Sequence, residues 1–270
     1  MIIFPNAKIN LGLNVVETRP DGYHNIETVF CAIPMTDALE IIPAKEDSFQ
    51  LSGIPIPGDK EMNLVSKALN LLRQQGHDIP PLAVYLLKAI PMEAGLGGGS
   101  SDGAFMLRLL NNYCKLNLSD DDLEKAASTL GSDCPFFIRN TPQFATGTGN
   151  IFESVELPLK GMHLVIVKPN ESVSTREAYA SVEIKKPTIS VKDVVKRPIS
   201  EWRTLLSNDF EESVFPLHPH IKEIKEKLYQ SGAVYASMSG SGSAVYGLFN
   251  QETSLKPFFN NCFFWEGIIP

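Results

Sequence analysis

From residue 7 to residue 17 the chain alternates. Ala7, Ile9, Leu11, Leu13 and Val15 fall on one face, and Lys8, Asn10, Gly12 and Asn14 on the other. A period of two predicts a strand. Its polar face, with one lysine and two asparagines, reads either as the lining of a cleft or as an ordinary half-exposed surface. Strand-like segments follow at 28–33 and 39–42, and the Gly/Pro-rich residues 52–61 read as a loop. Leu64, Val65, Ala68, Leu69 and Leu72 share one stripe, which predicts a helix with Asn63 as its N-cap. The apolar run 82–87, closed by Lys88, predicts a buried strand. A helix is predicted from Ser101; Ala104, Phe105, Met106, Leu107, Leu109 and Leu110 make it apolar nearly all round, and so buried. Ser119 with Asp120, Asp121 and Asp122 has capping-box spacing, and Gly131 fits the position just past that helix's end. Residues after Pro135 read as an apolar strand.

The second half carries a hairpin at 143–155, with Gly147-Thr148-Gly149-Asn150 at its turn. A strand is predicted at 163–167. Ser174 and Glu177 suggest another capping box, with Tyr179 on the short helix that follows. Residues 184–198, rich in Lys and Pro, read as an exposed excursion. Ser207-Asn208-Asp209 precedes an acidic segment. Ile221, Ile224 and Leu228 mark an amphipathic helix ending at Gly232. Two strands, 233–238 and 244–249, are joined by the small-residue loop Ser239-Gly240-Ser241-Gly242-Ser243. A short helix near 254–259 and a strand at 263–268 close the chain. This order suggests an α+β layer of the split βαβ kind. A boundary near 157–161 divides the chain into expected domains at 1–157 and 158–270.

Composition narrows the picture. The chain has 270 residues, 43% of them hydrophobic, and a net charge of −7. That charge disfavours a nucleic-acid or anionic-membrane partner. The four cysteines are far apart with no CxxC pair, so reduced thiols are expected rather than zinc ligands or disulfides. No apolar run approaches the ~20 residues of a membrane span, and the start lacks the features of a signal or transit peptide. A cytoplasmic protein is expected.

The stretch Pro91-Met92-Glu93-Ala94-Gly95-Leu96-Gly97-Gly98-Gly99-Ser100-Ser101-Asp102-Gly103-Ala104 carries the strongest chemistry. Four glycines in five positions between a strand and a helix allow backbone to approach a ligand closely. The helix start adds free amides and positive charge, which suits phosphate. A Walker A loop is excluded because no Gly-Lys pair exists in the chain, and a dinucleotide fingerprint because its third glycine position is Ser100. The turn Pro20-Asp21-Gly22 presents Tyr23 and His24, which either hold structure or stack on and hydrogen-bond to a flat ring. Asp133, among apolar neighbours, is either paired, functional, or a local turn cap. The three aspartates at 120–122 read as a solvated helix start rather than a metal site.

The glycine stretch, in its strand–loop–helix setting, resembles the phosphate motif of the galactokinase, homoserine kinase, mevalonate kinase and phosphomevalonate kinase (GHMP) superfamily. Residues 239–243 resemble its C-terminal glycine motif. Ala7-Lys8-Ile9-Asn10-Leu11-Gly12-Leu13, Asp21-Gly22-Tyr23-His24 and Gly131-Ser132-Asp133-Cys134-Pro135-Phe136-Phe137 narrow the resemblance to the 4-diphosphocytidyl-2-C-methyl-D-erythritol kinases. The resemblance implies a two-domain α+β GHMP kinase fold, with a ribosomal-protein-like N-terminal domain and a ferredoxin-like C-terminal domain. It implies phosphoryl transfer from ATP, with Mg2+, to a hydroxyl of a small cytidine diphosphate conjugate in the non-mevalonate isoprenoid route. Asp133 is then the catalytic carboxylate, with Lys8 as its partner beside Asn10. Tyr23 and His24 hold the cytosine, with Tyr179 on its other face. Pro91, Glu93, Ala94, Gly95, Leu96, Gly97, Gly98, Gly99, Ser100 and Ser101 surround the phosphates, and Asn63 and Lys88 lie by the nucleotide. The resemblance leaves the metal ligands and the oligomeric state open. Two residues depart from the family pattern: Gly103 where Ala is more usual, and Thr148 where Arg is common. Two other classes compete with the kinase. A ligand sensor on the same fold would not need Lys8 and Asp133 together, and an RNA-binding module is opposed by the net charge.

Overall fold

The computed structural model describes residues 1–56 and 62–270; of the loop expected over 52–61, residues 57–61 lie outside the described residues. The first half runs β1 (Ile2–Ile3), β2 (Asn6–Thr18), β3 (His24–Thr36), β4 (Ala38–Pro43), β5 (Ser48–Gly53), α1 (Leu64–Gln74), β6 (Leu82–Lys88), α2 (Gly98–Tyr113), α3 (Asp120–Leu130), α4 (Phe136–Arg139), β7 (Gln143–Thr146) and β8 (Ile151–Ser154). It continues β9 (His163–Lys168), α5 (Thr175–Ala180), α6 (Val191–Val194), α7 (Ile199–Leu205), α8 (Phe210–Val214), α9 (Pro219–Gln230), β10 (Tyr235–Met238), β11 (Val245–Phe249) and β12 (Phe263–Ile268). No helix among the described residues is long and apolar enough to cross a membrane.

Two units form, each drawn from separate stretches of sequence. The first comprises Met1–Ala7, Met35–Met92 and Gly97–Thr141, and the second Lys8–Pro34, Glu93–Leu96 and Pro142–Pro270. In the first, β1-β4-β6-β5 make a sheet with β5 parallel to β6 at its edge. The helix α2 packs against α1, α3 and α4. Its apolar residues are buried, as a helix without a polar face requires. At Gly103 an added Cβ would come 3.0 Å from the Cβ of Leu64. The glycine that departs from the family pattern thus lets α1 and α2 approach closely.

The second unit holds two sheets, β2-β3-β7-β8 and β10-β11-β9-β12. In the latter, β11 lies between β9 and β10 and is antiparallel to both, which is the split βαβ plan. Its core joins Val165, Val167, Ile221, Ile224, Leu228, Ala236 and Val245, among others.

Several elements differ from expectation. The helix α2 begins at Gly98, three residues before Ser101, because Gly97 at φ +69° turns the chain into it. The expected strand after Pro135 is the short helix α4, entered through Pro135 in helical conformation. A four-residue apolar run does not distinguish the two by periodicity. Gly131 ends α3 in extended backbone (φ 168°) and not in the left-handed form. The excursion at 184–198 is only partly exposed. Val191, Val194 and Val195 are buried, a helical spacing obscured by the surrounding lysines and prolines. At Ser174 the capping is one-sided: its hydroxyl accepts from the Glu177 amide, but the Glu177 carboxylate turns to His218.

Candidate active site

In the first unit the glycine loop ends as a helix start. The Ser101 amide donates to the Gly97 carbonyl at 2.8 Å. The amides of Gly98, Gly99 and Ser100 therefore precede the first intrahelical bond and carry the helix's positive end. The Ser100 hydroxyl bonds to the Cys134 thiol, and burial pushes that thiol up to about 12. Cys134 is thus a buried, neutral group and not a reactive one. The Ser101 hydroxyl is buried and has no partner among the described residues. Asp133 is half-buried in the turn between α3 and α4, a turn closed by the Cys134 amide on the Gly131 carbonyl at 3.2 Å. Asn63 caps α1, accepting from the Val65 amide at 2.9 Å.

Lys88 is fully buried. Its Nζ donates to Asp37 and, at 2.7 Å, to Asp102. Asp37 also accepts from the amides of Ala89 (2.6 Å) and Ile90 (2.8 Å). Burial raises the Asp102 carboxyl to about 8, against the lowering effect of the Lys88 charge. Asp37 thus accepts from three donors, Lys88 and two backbone amides.

In the second unit, β2 carries Lys8 and Asn10 on a face that is buried rather than half-exposed: they are 3% and 2% exposed. Lys8 Nζ donates to Asn10 Oδ1 at 2.6 Å and lies 4.9 Å from the Phe30 ring centre. Asn10 Nδ2 in turn donates to the Thr28 hydroxyl at 3.0 Å. Both glycine loops attach to this strand. The Lys8 amide donates to the Leu96 carbonyl at 2.9 Å, and the Asn10 amide to the Ser239 hydroxyl at 3.3 Å. That hydroxyl donates onward to the Gly95 carbonyl at 2.9 Å. The backbones of 93–95 and 239–244 pass so closely that a Cβ at Gly95 would overlap the Ser239 carbonyl. Gly95 (φ +70°) also needs the left-handed region.

The aromatic residues meet differently from expectation. Tyr23 is 67% exposed beyond the turn. His24 stacks on Tyr179, with ring centres 4.7 Å apart and planes at 21°, and Tyr179 packs edge-on against Phe210. A base placed between His24 and Tyr179 would have to part the two rings. Thr148, at the β7–β8 turn, bonds to Asn150.

The structure therefore brings Lys8, Asn10, Gly95 and Leu96 together within one unit, and His24 with Tyr179. Asp133, Ser100, Ser101, Asn63 and Lys88 belong to the other. Sequence reasoning missed Asp37, Asp102, Thr28 and Asn208. Asn208 Nδ2 donates to the carbonyls of Met238 (2.9 Å) and Gly240 (2.8 Å), holding the C-terminal glycine loop. Its signal was a polar Ser-Asn-Asp set between apolar residues. Among the described residues no group of three or more His, Cys, Asp or Glu side chains forms a metal cage.

A glycine loop opening into a buried helix in one unit, and a split βαβ layer in the other, define the class. Two family models match, "GHMP kinases N terminal domain" over residues 63–140 and "GHMP kinases C terminal" over residues 190–261. The chain is 58% identical to the 4-diphosphocytidyl-2-C-methyl-D-erythritol kinase of Parabacteroides distasonis, covering 99% of each chain. It is 50% identical to that of Porphyromonas gingivalis, covering 100% of each. A crystal structure of 4-(cytidine 5'-diphospho)-2C-methyl-D-erythritol kinase superposes with a TM-score of 0.80 at 31% identity, over 92% of this chain and 90% of that one. The mevalonate kinase of Methanococcus jannaschii, at 17% identity and a TM-score of 0.74, over 100% of this chain and 98% of that one, shares the fold. The chain belongs to the 4-diphosphocytidyl-2-C-methyl-D-erythritol kinase family, and it is a kinase.

Proposed function

We propose that the chain transfers the γ-phosphoryl group of ATP to a hydroxyl of 4-diphosphocytidyl-2-C-methyl-D-erythritol, in the synthesis of isoprenoid precursors. Beyond the family itself, the observation that carries this reading is the strand β2. It holds a buried lysine and an asparagine between two glycine loops, each bonded to its backbone. Such an arrangement fixes a cation beside backbone that can approach phosphate closely.

Phosphoryl transfer asks for positioning and charge stabilisation more than covalent chemistry. The amides at the start of α2 and the loop from Gly95 to Ser101 hold the triphosphate. Asp133 orients the acceptor hydroxyl and takes its proton. Lys8 favours negative charge on the attacking oxygen, and Asn10 and Thr28 hold its ammonium in place. His24 and Tyr23 contact the cytosine, with Tyr179 behind His24. Mg2+ fits the donor set: a buried Ser101 hydroxyl with no partner among the described residues, with Ser100 beside it, suits an ion that would take most of its oxygens from phosphate and water. When bound, it neutralises triphosphate charge.

The test is an ADP-coupled assay with Mg2+ and a panel of acceptors: the cytidine diphosphate conjugate, free methylerythritol phosphate, mevalonate, homoserine and galactose. Turnover with the conjugate alone is expected. Turnover with another alcohol would discard the roles of Tyr23 and His24, and ATP binding without turnover would favour a sensor.

A further inference from the structure

The family resemblance implies that Lys88, which ends the strand before the glycine loop, lies by the nucleotide. Its surroundings point elsewhere. The side chains of Lys88, Asp37 and Asp102 are at most 1% exposed, so the ammonium is closed off from bulk solvent. Lys88 precedes the loop and Asp102 follows it, one turn into α2. Asp37, between β3 and β4, grips the loop's first two amides as well as Lys88. A Cβ on Gly98 would lie 2.7 Å from Ile90 and 3.3 Å from Lys88 Nζ. The residues that enter the loop and those that leave it thus converge on one ammonium group.

We propose that Lys88 is a positioning residue of the nucleotide loop: held between Asp37 and Asp102, its ammonium fixes both ends of the segment from 89 to 101 and touches no phosphate. The proposal rests on the ATP reading above. A buried cation that donates to two buried carboxyl groups has a narrow geometry, because any displacement breaks a charge-assisted hydrogen bond that solvent cannot replace. Such a group contributes little net stability compared with an apolar residue of similar size, but it specifies position. A loop whose amides must meet a triphosphate depends on that specification.

The test uses the full-length chain with Asp102→Ala and Asp102→Asn, since both leave Lys88 in place. KM for ATP and kcat are measured in the coupled assay, and melting temperatures alongside. Asp102→Ala is expected to raise the ATP KM about threefold or more, with a smaller change in kcat. Asp102→Asn, whose amide oxygen still accepts from Nζ, is expected to stay below that rise. An Asp102→Ala chain that melts lower yet keeps its ATP KM overturns the proposal, because the triad then serves the fold alone. So does an Asp102→Asn chain as impaired as Asp102→Ala. If Asp102→Ala does not fold, the double variant Lys88→Met with Asp37→Asn decides. The new amide still accepts from Ala89 and Ile90 and donates to Asp102, so an ATP KM within about threefold of the unaltered chain supports positioning, and a larger rise makes Lys88 a nucleotide ligand. An unaltered chain that does not turn over ATP overturns the ATP reading and this proposal together, before any substitution is made.

Discussion

Gly95→Ala is a severe test of the close passage between the two glycine loops. Two costs act at once. The backbone at φ +70° is left-handed, which costs a residue with a Cβ about 1–2 kcal/mol. The new methyl would also overlap the Ser239 carbonyl, a backbone atom that cannot rotate away. Relief requires the segments 93–95 and 239–244 to part, at a cost of about 1–3 kcal/mol for overpacking. Parting them loses the bond from the Ser239 hydroxyl to the Gly95 carbonyl, about 1 kcal/mol more. The total is about 3–6 kcal/mol, a large share of the roughly 5–15 kcal/mol that holds a typical protein folded. Urea unfolding followed by circular dichroism measures it. Gly99→Ala is the control: nothing lies within 4 Å of its added methyl, and it sits in the first turn of α2. There the change should be neutral or stabilise by up to about 1 kcal/mol. A Gly95→Ala chain within about 1 kcal/mol of the unaltered protein would refute the reasoning, since strain alone predicts that much.

Other consequences can be checked directly. Asp133→Asn should lower kcat by about 100-fold or more with ATP binding retained; turnover within about tenfold of the unaltered enzyme would remove Asp133 from the chemistry. His24→Ala should raise KM for the cytidine conjugate about tenfold and leave the ATP KM in place, and an unchanged conjugate KM would reassign His24 to structure. His218 sits between the carboxylates of Glu177 (3.0 Å) and Glu171 (3.1 Å), whose hydrogen bonds raise its pKa above the usual histidine range. The stability it adds is complete below about pH 6.5 and is lost as pH rises through the raised value. The melting difference between the unaltered chain and His218→Gln should therefore be largest below about pH 6.5 and shrink as pH rises above it; a constant difference would show that the ring is not charged in the fold.

Much of the fold was legible because periodicity survives in long elements. The alternation at 7–17 became β2, the stripe from Leu64 to Leu72 became α1 with its Asn63 cap, and the 143–155 hairpin formed as expected. Short elements were not legible. Phe136 to Arg139 is apolar enough for either strand or helix, and its surroundings decide. In the site, the glycines and serines announced themselves by composition. The partners of Lys88 did not, because Asp37 lies 51 residues away in sequence and nothing local marks it. The stacking of His24 on Tyr179 is invisible for the same reason: it joins a turn to a helix more than a hundred residues later.

The interleaving of the two units has a consequence for the order in which the protein can be made. The strand β2 leaves the ribosome well before its partners, because its hydrogen bonds reach far ahead in sequence. The Asn10 amide waits for Ser239, 229 residues later, and the Asn10 carbonyl for the Tyr246 hydroxyl, 236 residues later. At roughly 5–20 residues per second, β2 remains incomplete for roughly 10–50 s of synthesis. Lys8 and Asn10 are therefore translated long before they are locked in place. A nascent chain paused anywhere before the C-terminal glycine loop holds its apolar Ile9, Leu11 and Leu13 open to chaperones, and a chain that stops before Ser239 leaves Asn10, and the lysine it holds, without either of those partners.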